Sequence, residues 1–186
     1  MPSIELSKIR LQVSLGAVAI IKEAFNLSNN DPDIESIRQK FLTNYSENIY
    51  RETRFFEGME NVLDTLDRHG IAWGIVTNKA EWLTTLLVEE MQLNLRTNCI
   101  VNGNTLPVAK PNPEPLLYAC NMMNCAPENA VYIGDAMWDI EAGTRAGMPT
   151  ILARYGYINL ETDLDEWGAT AIIDTPNDIL GHLRLD

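Results

Sequence analysis

The most informative segment of this chain reads Val131-Tyr-Ile-Gly-Asp-Ala-Met-Trp-Asp-Ile-Glu-Ala-Gly-Thr-Arg-Ala-Gly-Met148. It begins within a short apolar run, residues 130–133, which predicts a buried strand of a parallel sheet. The chain then turns at Gly134, and residues 140–146 predict a helix. This order places Asp135 at the carboxyl end of the strand, where open α/β sheets bind their ligands.

Asp135 and Asp139 form a pair of carboxylates four residues apart. Mg²⁺ usually takes one or two carboxylates and completes its shell with water and phosphate oxygens, so the pair suits this ion. The alternative is that Asp135 caps the following helix and Asp139 is a solvated surface residue. The spacing alone leaves both interpretations open.

Short apolar runs alternate with helical patterns over residues 55–186. This alternation predicts a doubly wound α/β domain with a parallel sheet covered by helices on both faces. Residues 1–54 differ, because two helical patterns, at residues 11–25 and 33–50, occur there without a strand, and residues 51–56 are the predicted linker. The predicted strands are residues 71–77, 99–101, 130–133, 150–153 and 170–173.

The composition excludes several classes of function. The chain has 186 residues, 46% of them hydrophobic and 22% charged, which is typical of a soluble globular protein. The chain contains no run of about 18 apolar residues, which is the length that a membrane-spanning helix needs. The net charge of −12 without a basic cluster argues against nucleic acid or an anionic membrane as partner. Three cysteines without metal-type spacing predict reduced thiols and a cytoplasmic location.

Polar residues follow other predicted strands as well. Thr77 and Asn78 come directly after the strand at residues 71–77 and offer a hydroxyl, an amide and backbone N–H groups to an anion. Lys110 lies in the proline-rich loop Pro107-Val-Ala-Lys-Pro-Asn-Pro113. A single lysine is usually solvated, but together with these groups it is a candidate anion ligand.

These segments together resemble the haloacid dehalogenase superfamily, and within it the phosphoglycolate phosphatase-like branch. The resemblance covers nearly the whole chain, and it implies a Rossmann-like α/β core. The matching motifs are Ile75-Val-Thr-Asn-Lys79, Lys110-Pro111, and Gly134-Asp135 to Asp139 followed by Ala142-Gly143 and Ala146-Gly147-Met148.

The resemblance also implies roles for individual residues in a Mg²⁺-dependent phosphomonoester hydrolase. Thr77 and Asn78 would bind the transferred phosphoryl group of a small phosphorylated metabolite, and Lys110 would neutralise its charge. Asp135 and Asp139 would hold Mg²⁺, directly or through water. Residues 1–54 would form part of a helical cap over the site, and residues 55–186 the core domain.

One motif of the superfamily is missing from these 186 residues: the D-x-D-G-T that supplies the nucleophilic aspartate. We therefore expect a truncated chain that is inactive on its own. The strand bearing this motif would lie centrally in the sheet, between the strands at residues 71–77 and 130–133. We expect the gap to be closed by direct pairing, filled by residues 4–13, or covered by association into a homo-oligomer.

Two other functions stay open on this sequence. One is a non-catalytic module that binds phosphate and Mg²⁺, or another protein, on the same fold. The other is a sugar phosphomutase, which would differ mainly in the missing N-terminal part. A haloacid dehalogenase needs no metal, so the pair of Asp135 and Asp139 argues against it.

Overall fold

The computed structural model describes residues 4–159 and 161–183. Helices and strands alternate from residue 59 onward, after three helices with no strand between them. The helices of the described ranges are α1 (Leu6–Arg10), α2 (Ala17–Phe25), α3 (Ile34–Glu47), α4 (Met59–Arg68), α5 (Glu81–Glu90), α6 (Glu114–Met122) and α7 (Met137–Arg145). The strands are β1 (Gly74–Val76), β2 (Cys99–Val101), β3 (Tyr132–Gly134), β4 (Thr150–Ala153) and β5 (Ala171–Ile173). Short 3₁₀ helices span Leu93–Leu95, Pro127–Asn129, Asp165–Trp167 and Pro176–His182.

Three strands differ from their predicted bounds. Strand β5 begins one residue later than predicted, at Ala171, and in the other two a preceding turn uses a backbone N–H group. Strand β1 does not begin at Ile71, since that N–H closes the end of α4 by donating to Leu66 O at 2.9 Å. Strand β3 begins two residues later than predicted, since Ala130 N–H donates to Pro127 O at 3.1 Å within the preceding turn. Strands β2 and β4 have the predicted bounds.

The strands form two separate parallel sheets. Strands β1 and β2 pair with each other, and β3, β4 and β5 pair in that order. We call them the first and the second half-sheet. Across the described ranges, β1 and β3 do not pair, so the expected direct closure of the sheet is wrong. Within this chain, residues 4–13 do not fill the gap with a strand either, because Leu6–Arg10 form helix α1.

Helices cover both faces of the second half-sheet. Strand residues alternate between faces, so Ile151 packs with the helix α4 residue Val62, whereas Leu152 packs with Ile140 of α7. Strand β4 is buried over its whole length. This arrangement confirms the predicted doubly wound α/β fold.

The N-terminal helices are far less buried than the core. Between residues 4 and 54 only Ile21 and Ile49 are buried. The first long helix, predicted from residue 11, begins only at Ala17 because Gly16 precedes it with a φ of +87°, a conformation that favours glycine. No helix in the part of the chain that the structure describes is long and apolar enough to span a membrane.

Candidate active site

Thr77 and Asn78 lie at the carboxyl end of β1, as predicted. Thr77 N–H donates to Val101 O at 2.8 Å and so extends the pairing with β2. Its hydroxyl oxygen accepts the backbone N–H of Lys79 at 3.1 Å. Asn78 donates its side-chain N–H to Lys110 O at 3.0 Å and accepts Lys110 N–H at 3.1 Å. The amide of Asn78 therefore holds the loop that carries Lys110.

Lys110 lies between the two half-sheets. Its ammonium nitrogen is 2.8 Å from Asp139 Oδ1, and it donates to Val76 O at 2.8 Å and to the Tyr132 hydroxyl at 2.6 Å. Its side chain is only 8% exposed. The alternative of a solvated surface lysine is therefore wrong, and its charge is balanced by a buried carboxylate.

Asp139 lies in the first turn of α7, with a side chain that is 7% exposed. One carboxylate oxygen pairs with Lys110, and the other accepts the backbone N–H of Ala136 at 3.1 Å. Glycine at position 134 leaves room for this carboxylate, since a Cβ there would overlap it. A solvated Asp139 is therefore excluded.

Asp135 is held by the loop that follows β4. Its Oδ2 accepts the backbone N–H of Tyr157 at 2.8 Å, and a Cβ on Gly156 would overlap its carboxylate. Burial, followed by the negative charge of Asp135, raises the pKa of Tyr155 to about 12. Because Ala136 occupies the N-cap position of α7, Asp135 does not cap this helix.

Tyr132 is a member of this cluster that sequence reasoning missed. Its hydroxyl receives a hydrogen bond from Lys110 at 2.6 Å and lies 3.1 Å from Val76 O, to which it can donate. Burial, with repulsion from Asp139 next in size, raises the pKa of Tyr132 well above its ordinary value, so the hydroxyl stays protonated. A tyrosine inside an otherwise apolar strand was the signal, because a buried hydroxyl needs a partner.

Gly103, Gly156 and Tyr157 were also missed. A Cβ on Gly103 would overlap the carbonyl of Asn78, and Gly103 N–H donates to Lys79 O at 2.8 Å. Gly103 and Gly156 therefore allow neighbouring backbone to approach site residues closely. Their role depends on contacts between distant segments, which a local pattern does not contain.

The donor set suits hydrated Mg²⁺ better than a fully protein-bound ion. The described residues contain no group of three acidic, histidine or cysteine side chains that could hold a metal. No described residue donates a hydrogen bond to Asp135 Oδ1, whereas both Asp139 oxygens have partners. Asp135 fits a direct ligand and Asp139 a ligand through water, which is the sparse protein coordination that Mg²⁺ accepts.

Comparison with known proteins agrees with this arrangement. The family model for haloacid dehalogenase-like hydrolases matches residues 1–153. The chain belongs to that family. It is 35% identical over 183 residues to the N-acetylmuramic acid 6-phosphate phosphatase of Pseudomonas aeruginosa, covering 98% of this chain and 81% of the relative. It is 34% identical over 174 residues to the phosphoglycolate phosphatase of Xylella fastidiosa, covering 94% of this chain and 76% of the relative.

A solved structure shows the same fold at lower identity. The predicted phosphoglycolate phosphatase from Haemophilus somnus superposes with a TM-score of 0.85 at 22% identity, over 99% of this chain and 84% of that one. The haloacid dehalogenase-like architecture predicted from the sequence is thereby confirmed.

Proposed function

We propose that this chain carries the phosphate- and Mg²⁺-binding groups of a phosphomonoester hydrolase of the phosphoglycolate phosphatase type. The observation that carries the proposal is the buried pair of Lys110 and Asp139, which Asn78 ties to the end of β1. The names of the relatives support it, since both describe phosphatases. Phosphoglycolate and N-acetylmuramic acid 6-phosphate are both phosphomonoesters that also carry a carboxylate.

Each group has a distinct part in binding the phosphate of a small metabolite. Thr77 supplies its hydroxyl at the carboxyl end of β1, four residues before α5, whose helix dipole favours an anion. Lys110 supplies positive charge from between the half-sheets. Asn78 positions Lys110 through its backbone and can offer the phosphate its own backbone N–H.

The charges of the site favour a divalent cation. Asp135 and Asp139 carry two negative charges and Lys110 one positive charge, so these three groups together carry −1 before any substrate binds. A phosphomonoester adds about −2 near neutral pH. Mg²⁺, bound by Asp135 and through water by Asp139, would offset this repulsion and neutralise charge on the phosphoryl group.

The polypeptide of these 186 residues contains no D-x-D-G-T aspartate to act as nucleophile. Removal of the nucleophile costs on the order of 10⁶ in turnover in other covalent enzymes. We therefore propose that this polypeptide alone hydrolyses phosphoglycolate negligibly. The cytoplasmic location, the homo-oligomeric state and the division into a cap (1–54) and a core (55–186) remain predictions.

The test is to fuse a strand segment bearing D-x-D-G-T to the amino terminus and to measure phosphate release. We expect Mg²⁺-dependent turnover, which Lys110→Ala should largely abolish and the exposed-site control Lys40→Ala should leave unchanged. Activity of the unfused chain that survives Asp135→Asn would contradict the proposal. Phosphate binding by the fusion without turnover would instead favour the non-catalytic binding module, and transfer between sugar hydroxyls the phosphomutase.

A further inference from the structure

Lys79 connects the candidate site to the N-terminal helices. Its ammonium donates to the hydroxyl of Tyr45 on α3 at 3.0 Å and lies 4.6 Å from the centre of that ring. Lys79 is half-buried at this junction, whereas most lysine side chains extend into water. The contact therefore places a cation where helix α3 meets the carboxyl edge of the first half-sheet.

This cation has no carboxylate partner among the residues that the structure describes. Lys110 has Asp139 at 2.8 Å, but no aspartate or glutamate oxygen of the described ranges lies within 4.0 Å of the Lys79 ammonium. Tyr45 accepts one of its three N–H groups. A partly buried cation without a counter-charge is costly, and in a chain of net charge −12 its position points to an anionic ligand.

The backbone of Lys79 is fixed next to the phosphate-binding groups. Its N–H donates to the Thr77 hydroxyl at 3.1 Å, and its carbonyl accepts Gly103 N–H at 2.8 Å and the Thr84 hydroxyl at 3.2 Å. Two residues of chain span at most about 7 Å, so Lys79 and Thr77 are close enough to contact one small molecule. A ligand whose phosphate lies at Thr77 can therefore present a second anionic group to Lys79.

We propose that Lys79 and the Tyr45 hydroxyl bind a carboxylate of the substrate, so that the site selects phosphomonoesters that are also carboxylic acids. The proposal rests on the function proposed above and assigns the substrate class. One ammonium with one hydroxyl suits a carboxylate, which carries one charge and two acceptor oxygens. A second phosphate, with about two charges and three oxygens, would need more donors.

Titration calorimetry of the 186-residue chain with Mg²⁺ tests this preference with two matched pairs of ligands. Phosphoglycolate is compared with ethyl phosphate, and N-acetylmuramic acid 6-phosphate with N-acetylglucosamine 6-phosphate, which lacks the carboxylate. We expect at least one acid to bind about tenfold tighter than its partner, as one charged hydrogen bond provides. The preference should weaken with rising salt, as screening requires.

Variants assign the preference to the two residues. Lys79→Gln should abolish it by weakening the acids far more than ethyl phosphate, Lys79→Arg should retain part of it, and Tyr45→Phe should reduce it a few-fold. Lys40→Gln, at an exposed lysine of the same helical segment as Tyr45, is the charge-matched control.

The outcomes separate this inference from the proposed function. If inorganic phosphate binds and Lys110→Met abolishes that binding, but acids and plain esters bind equally, the function stands and the carboxylate site is wrong. A preference that persists in Lys79→Gln also overturns the assignment. If neither inorganic phosphate nor any ester binds, the proposed function fails and this inference fails with it.

Discussion

The two half-sheets are held together internally by backbone pairing, whereas the junction between them is made by side chains. Within each half-sheet, neighbouring strands run parallel and pair through backbone hydrogen bonds. At the junction, the ammonium of Lys110 and the hydroxyl of Tyr132 both contact the carbonyl of Val76. The side chains of the junction are thus the same ones that form the candidate site.

This difference separates two kinds of substitution. A change inside one half-sheet should alter stability without altering phosphate binding. A change at the junction should alter both, because Lys110 both satisfies backbone of the first half-sheet and pairs with a carboxylate of the second. Three substitutions test this distinction, and they are given in order of decreasing expected loss of stability.

Lys110→Met should have the largest effect. It leaves the Asp139 carboxylate buried without a counter-charge, and breaking a buried pair in this way costs about 3–5 kcal/mol of the free energy of unfolding. Urea unfolding measures the loss, and phosphate binding should disappear as well. Lys40→Met, at an exposed position, should change stability by less than about 0.5 kcal/mol. A Lys110→Met variant within about 1 kcal/mol of the parent would show that the junction does not depend on this pair.

Tyr132→Phe should have an intermediate effect. It keeps the ring but removes the hydroxyl between Val76 and Lys110, which should cost about 1–2 kcal/mol because these polar groups lose a buried partner. Tyr118→Phe is the control, since that ring is exposed on α6, which packs against β2 of the first half-sheet. Equal losses of stability from the two substitutions would show that the Tyr132 hydroxyl does not stabilise the junction.

The pH dependence sharpens this test. Burial raises the pKa of Tyr132 above its unfolded value, so the stability linked to the protonated hydroxyl is fully present below about pH 10 and is lost as the pH rises further. Tyr132→Phe should therefore lose less stability than the parent chain between pH 9 and pH 11, as followed by urea unfolding. A parallel decline in the two proteins would contradict the assigned cause.

Arg96→Gln should have the smallest effect. Its guanidinium bonds Asp64 at 2.8 Å and Asp67 at 2.7 Å on α4, at the surface beside the first half-sheet. Surface ion pairs contribute less than about 1 kcal/mol each and are screened by salt. We expect a small loss of stability that shrinks in 1 M NaCl, with unchanged phosphate binding. A change in phosphate binding would mean that the two kinds of substitution are not separable.

The accuracy of the strand predictions depended on how the flanking turns used the backbone. Residues 99–101 and 150–153 became β2 and β4 without a change of bounds, because no preceding turn takes the N–H group of their first residue. The prediction for β1 was too long, because Ile71 still closes α4. The start of the helix predicted from residue 11 was also placed too early. The apolar spacing of the sequence continues across Gly16, but the helix begins only at Ala17.

The sequence by itself determined the alternation of strands and helices, and with it the positions of Thr77, Asn78 and Asp135 just after the carboxyl ends of their strands. These follow from local periodicity and from the rule that parallel strands end at a common edge. Only the tertiary structure decided that the half-sheets stay apart and that Asn78 holds Lys110. Those contacts join residues up to 56 positions apart, such as Val76 and Tyr132. They depend on which buried donors find acceptors once the chain has folded, and no local pattern records that.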